Sequence, residues 1–357
     1  ADISYTYQES FDMYSEVVDM LIGLCDGDET RFSDLIEAAP DCMPWDRERI
    51  LKWAQETLGN IEHKKGLAWH ILRGILNRHK QHPDTEWALK KDDLSPFEQL
   101  YSQLYPKDGL VRNVWLFNED CHTQMIDPAT AVPLAVDGHK EIEELVATRR
   151  KTAVVELLRE LGLEKVLELR REVKYPSYLG EALAKVMEDE QDPQCVWQCL
   201  EDDTPHVAFA HGFISQKLRC EELCWIQTLV YELLENGYSD RAVANALVVA
   251  RSGQELWHYI DSLRDGIQRE YWLRMNSYFH GLTDEDIIVG INKLLQYRRF
   301  SFAVEVAWFH RTLIPSGMFV EVLKRSGTEE SQEPNCQVPY AIEGIFEVLN
   351  KREDVEK

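Results

Sequence analysis

Between Leu282 and Arg325 the sequence reads LTDEDIIVGINKLLQYRRFSFAVEVAWFHRTLIPSGMFVEVLKR. Its apolar residues return every three to four positions, which is the period of a helix face and not of a strand. Thr283 followed by Asp286 has the form of a helix start, although Asp closes such a box less well than Glu or Gln. Asp284, Glu285 and Asp286 put negative charge at the positive end of the helix dipole. Ile287, Ile288, Ile291, Leu294 and Leu295 then make one apolar stripe, and Arg298 and Arg299 sit where the last carbonyls of that helix favour cations. A second helix carries Phe302, Ala303, Val306, Ala307 and Phe309. Pro315 opens a third, followed by Met318, Phe319, Val322 and Leu323. Helices this short are marginal alone and need neighbours. The expected fold is therefore all-α: an irregular α-solenoid of stacked antiparallel helix pairs, HEAT- or TPR-like in kind.

The rest of the chain repeats the theme. Helices are expected over 9–25, 30–38, 44–58, 63–80, 96–105 and 139–161. Eight more follow between 163 and 275, and a last one over 340–351. Start signals at Ser239, Thr283 and Pro315 lie 44 and then 32 residues apart, near the size of two-helix repeats but without a fixed period. Residues 106–138 break the rhythm. The VWLF run at 114–117 looks buried, and the segment after it has two prolines and no period, so 106–138 is read as a long loop. It divides the chain into an N-terminal helical part, 1–105, and a C-terminal helical part, 139–357.

A formal charge of −24 argues against a nucleic-acid or anionic-membrane partner, because phosphates would be repelled. No run of about eighteen apolar residues is present, and the first residues, ADISYTYQESFD, do not have the composition of a signal peptide. Eight cysteines without close-set spacing fit a reducing, cytoplasmic setting. The chain lacks an initiator Met and ends in KREDVEK, so it is expected to be a piece of a longer protein.

One cluster could carry chemistry. Cys195 and Cys199, Cys220 and Cys224, with His206 and His211 between the pairs, could in principle make a tetrahedral metal site. Both cysteine pairs are spaced i, i+4 inside expected helices, where cysteine also serves as a small buried hydrophobe. The aromatic residues Trp257, Tyr271, Trp272 and Trp308 could line a partner groove, since aromatics dominate binding hot spots, or could pack helix on helix. Phosphate loops, dinucleotide fingerprints, nucleophile elbows and HExxH are absent, so no catalytic residue and no cofactor is assigned.

Three stretches carry a resemblance: residues 71–117 (ILRGILNRHKQHPD through VRNVWLF), residues 268–309 (QREYWLRMNSYFHGLTDEDI through VEVAWF) and residues 340–355 (YAIEGIFEVLNKREDV). With these the chain resembles the helical-repeat regions of large, poorly characterised bacterial multidomain proteins. The resemblance implies a scaffold or sensor part, for example in phage defence, and supplies no active-site residues. The leading expectation is a non-enzymatic protein-interaction module with a basic or mixed-charge protein partner. The alternative is a metal-binding protein or enzyme centred on residues 192–225, which a polar pocket converging on His206 and His211 would favour.

Overall fold

In the computed structural model of the chain, Thr283 Oγ1 accepts a hydrogen bond from the Asp286 N–H at 3.2 Å, closing the helix start read from the sequence. The same logic recurs at Ser239, whose hydroxyl accepts from the Ala242 N–H at 3.1 Å, and at Asp28, which accepts from Thr30 and Arg31. The structure describes residues 7–25, 28–58, 62–119, 128, 139–187, 193–202, 205–218, 223–276, 278–328 and 338–351. Among these there are nineteen α-helices, short 3-10 turns and no strand.

The chain forms two compact units, Ala1–Ala182 and Leu183–Lys357. The first holds α1 (Tyr7–Leu24), α2 (Glu29–Ala38), α3 (Pro44–Leu58), α4 (Glu62–Gln81), α5 (Lys91–Gln103), α6 (Gly109–Asn113), α7 (His139–Leu161), α8 (Leu163–Leu169) and most of α9 (Pro176–Ala184). There α4 packs between α2 and α5, α1 lies on α3, and α6 lies on α7. The second unit holds α10 (Gln194–Trp197), α11 (Ala208–Leu218), α12 (Leu223–Glu235), α13 (Asp240–Leu247), α14 (Gln254–Asp261) and α15 (Asp265–Arg274). It continues with α16 (Asp284–Gln296), α17 (Phe300–Phe309), α18 (Ser316–Thr328) and α19 (Val338–Lys351). In it α13 packs on α12 and α15, α16 on α17, and α17 on both α18 and α19.

Several boundaries differ from the sequence reading. Within 106–138 most of the described part is helical: α6 is followed by a 3-10 turn at Val114–Phe117 that buries Trp115, Leu116 and Phe117. The loop expected after it falls on 120–138, which apart from Pro128 lies outside the described residues. Helix α5 begins at Lys91, with Pro96 inside it and not at its start. Asp92 and Asp93 supply its first-turn charge, and Asp93 reaches Arg47 at 3.0 Å. Pro315 likewise precedes its helix, its carbonyl accepting from Met318 and Phe319.

A second departure is systematic. Several arginines, none of which the sequence placed in the interior, are buried and bind backbone carbonyls at element ends. Arg47 donates to Pro40 O (3.2 Å) and Cys42 O (3.1 Å). Arg112 donates to Pro106 O and Lys107 O while its other nitrogens pair with Glu156 (3.2 Å) and Glu160 (2.7 Å). Arg150 donates to Leu116 O at 3.0 Å with its guanidinium 3.6 Å from the Tyr178 ring. Arg299 does not serve its own helix: it donates to Trp272 O (3.2 Å) and Met275 O, the carbonyls that end α15. The guanidinium fork satisfies two acceptors at once, which a helix end leaves open.

Close helix approach is set by glycine at more than one place, Gly290 and Gly344 among them. A Cβ on Gly290 of α16 would lie 2.5 Å from Phe279 Cε2 and 3.0 Å from Trp257 Cη2, both buried rings. Alanine is the better helix former by about 1 kcal/mol, but overpacking of this kind costs about 1–3 kcal/mol. Gly290→Ala is therefore expected to lower stability, which denaturant unfolding of the variant checks; an unchanged or raised midpoint contradicts this packing.

Candidate functional site

The most unusual interior of the protein is polar. On α4, His70, Arg73, Asn77 and Gln81 recur at steps of three and four, so they share one helix face. An inward helix face is ordinarily apolar, and the informative departure is a buried polar one. Arg73, Asn77 and Gln81 are buried here, as is His79 on the flank. They face a cavity of about 520 Å³, which Glu37 and Asp41 on the α2 side, Trp87 and Glu119 also line.

Each group in it has a definite setting. Arg73 pairs with Glu119 at 2.6 Å and lies 3.5 Å from the Trp115 ring centre. His79 Nδ1 accepts from the Leu89 N–H at 3.0 Å, which leaves the proton of the neutral ring on Nε2. Burial, and then the Arg73 charge, push the His70 pKa down to about 4, so its ring is neutral at physiological pH. His70 Nδ1 and Glu119 Oε2 are buried without a hydrogen-bond partner among the described residues. Trp87, 43% exposed, stands at the mouth with the Arg78 guanidinium 4.7 Å from its ring centre. The signal that would have found the cavity was the polar spacing 70, 73, 77, 81 beside the apolar stripe of α4.

Among the described residues the cysteine and histidine residues do not form a cluster. Cys199 is buried, Cys195 is half-buried and Cys224 is exposed, while Cys220 lies outside the described residues. Among the described residues no group of three or more His, Cys, Asp or Glu side chains converges as metal ligands. The i, i+4 spacing instead lets Cys199 Sγ reach the Cys195 carbonyl at 3.5 Å, a contact within one helical turn. His211 does line a small pocket of about 140 Å³ with Asp202, Arg241, Asn245 and Arg274; His206 is not among its lining residues. Burial lowers the His211 pKa.

Of the aromatic residues proposed for a partner groove, Trp257, Tyr271 and Trp272 are fully buried in the second unit. Trp257 Nε1 donates to Tyr271 Oη at 3.3 Å, and burial raises the Tyr271 pKa to about 12. The Trp257 and Trp272 rings are 5.5 Å apart, and Trp257 also meets Phe279 edge-on at 5.4 Å. They are core, and the assignment to a surface is corrected: the helical period places a large apolar residue on an inward stripe without saying that it is out of reach. Trp308 is only partly buried and sits near the exposed Tyr340 at 6.2 Å, next to the exposed Phe309.

A surface that the sequence reading did not single out lies on α1. Met13, Tyr14, Val17, Met20, Leu21 and Leu24 are all exposed, Met20 by 67%. At 100° per residue they fall within a sector of about 120°. Val18, buried, and Ile22, half-buried, point the other way, toward the α3 side on which α1 packs. The helix thus carries two apolar faces, and only one is used inside the unit. Exposed Glu16 borders the outer one, while Asp19 lies on the opposite side and pairs with Arg49 of α3.

No helix among the described residues is long and apolar enough to cross a membrane. No protein-family model, no curated protein and no solved structure matches the chain.

Proposed function

We propose that the chain is a non-enzymatic protein-interaction module, the scaffold or sensor part of a larger bacterial protein. Its helices act as an irregular α-solenoid of stacked antiparallel pairs, and the outer face of α1 receives a basic amphipathic helix of the partner. The observation that carries this reading is the six-residue apolar stripe on α1. Contiguous exposed apolar patches on soluble proteins mark interaction sites, and an amphipathic helix is a common occupant of such a strip. Charge selects the partner's sign: Glu16 borders the stripe, and the whole chain carries −24. The resemblance to helical-repeat regions supports a defence-related or sensory setting in the same way.

The test uses the intact chain as bait in its own host, beside Met20→Glu/Leu24→Glu. Both positions are exposed, so the fold is expected to persist within about 0.5 kcal/mol. The expected result is one partner held by the unsubstituted chain and lost at least tenfold from the variant, with binding weakened by salt. Equal recovery by both baits, or no specific partner, overturns the reading.

A further inference from the structure

Helix α1 turns its apolar surface away from the body that holds it. Of its side chains over 13–24 only Val18 is buried, while those of the outer stripe face water. Its contact with α3 is largely polar. One Arg49 nitrogen donates to Ser15 Oγ of α1 and, at 2.9 Å, to Asp46 of α3; the other donates to Asp19 of α1. Ser15 Oγ in turn donates to Asp46 at 3.3 Å. Ser15 and Asp19 stand one turn apart on the side opposite the stripe.

A contact of this kind opens easily. Asp46 is buried, 2% exposed, and its charge is met by Arg49 of the same helix. Departure of α1 therefore admits water to a pair that stays together, and no charge is left buried alone. The ion pair that α1 itself supplies is Asp19 with Arg49, and the Asp19 side chain is 65% exposed. Exposed pairs are weak and are screened by salt. Helix α1 carries Glu9, Asp12, Glu16 and Asp19 and no Lys or Arg. On a chain of −24 that charge opposes docking, and among the described residues no other ion pair joins α1 to the body. Just past its end the chain stays anchored: Cys25 is buried, its Sγ reaching Arg31 O at 3.3 Å.

We infer that α1 is a releasable arm clasped to α3 by Arg49, and that this clasp governs how the outer stripe is presented. Closed, it holds the helix ordered with the stripe outward. Opened, α1 leaves α3 and frays, because a helix of eighteen residues without packing is marginal. A partner must then order the helix before binding it, which weakens its hold. Arg49 is thus a positioning residue for the stripe. That use of the clasp rests on the reading of α1 as the partner surface. The clasp itself is measured on the chain alone, so either can fail without the other.

Amide hydrogen exchange of the full chain, followed by mass spectrometry, compares peptides of α1 and α4 at low and high sodium chloride. The expected result is exchange in α1 by local opening, faster than in α4. In about 1 M salt, or in Arg49→Met, α1 exchange rises about tenfold or more while α4 is unchanged. Lys52→Met, which removes the exposed Lys52–Glu56 pair of α3, leaves α1 unchanged. Should Arg49→Met not fold, the salt series on the unsubstituted chain carries the test. Exchange in α1 that is as slow as in α4, or that neither salt nor Arg49→Met accelerates, overturns the proposal. So does a rise shared equally by α1 and α4, which means that the whole first unit opens at once, or a response to Lys52→Met as large as that to Arg49→Met.

Discussion

Trp272→Ala is expected to lower the stability of the second unit by about 3–5 kcal/mol, the cost of emptying a large aromatic site in a packed core. For a cooperative unit of this size the melting midpoint should fall by about 6–20 °C. The ring is fully buried, 5.5 Å from Trp257, 5.2 Å and edge-on to Tyr271, and stacked at 12° on Tyr297. The magnitude decides between two roles. A tryptophan held at the surface for a partner would cost within about 0.5 kcal/mol on removal and show itself only in binding. Trp272 Nε1 is buried with no hydrogen-bond partner, so Trp272→Phe, which deletes that donor, should cost distinctly less than Trp272→Ala. Differential scanning calorimetry of the two variants reads both effects. A shift of a degree or less for Trp272→Ala would show that the ring is not core.

Arg299→Met should cost about 3 kcal/mol, measured by urea unfolding. Its guanidinium donates to Trp272 O and Met275 O, and charge-assisted hydrogen bonds of this kind contribute about 1.5–3 kcal/mol each. Methionine restores the volume of the stem but leaves two acceptors at the end of α15 without donors. Had Arg299 only faced the carbonyls of its own helix at the surface, its loss would cost about 0.3–1 kcal/mol. Arg299→Lys separates charge from geometry. A lysine is a point donor and cannot copy the planar fork, so it should recover part of the stability and not all of it. A loss below about 1 kcal/mol for Arg299→Met would place the arginine back on the surface.

Helix identity was legible because it is written locally. A hydroxyl three residues ahead of a backbone N–H, as at Thr283 and Asp286, and an apolar residue at every third or fourth position need no knowledge of the rest of the chain. Ends were read less well where a residue plays two parts. Pro96 looked like a start because proline lacks a donor, yet the helix begins at Lys91, with first-turn charge from Asp92 and Asp93. The Cys and His residues of 195–224 shared a short span of sequence and were weighed as one site. Cys195 falls on α10, His211 on α11 and Cys224 on α12, Cys220 lies outside the described residues, and no group of metal ligands gathers among the described residues.

The candidate site along α4 was the least legible part. His70, Arg73, Asn77 and Gln81 have the spacing of one face, but polar residues at that spacing ordinarily face water. Only the positions of α2, Trp87 and Glu119 around α4 make that face an interior one. The same holds for the outer stripe of α1, whose exposure follows only from α3 occupying the other side of the helix.

By itself, then, the sequence determined that this protein is helical, where most of its helices run and that the chain is strongly acidic, because period, caps and net charge are properties of neighbouring residues. Tertiary structure alone decided which side of each helix is inside. That choice put Arg47, Arg112, Arg150 and Arg299 in the interior, where their forks meet backbone carbonyls near element ends, and Trp257 and Trp272 out of any partner's reach. The physical reason is that burial and hydrogen-bond satisfaction depend on acceptors and rings that arrive from distant helices, and no local pattern of residues records which of them will arrive.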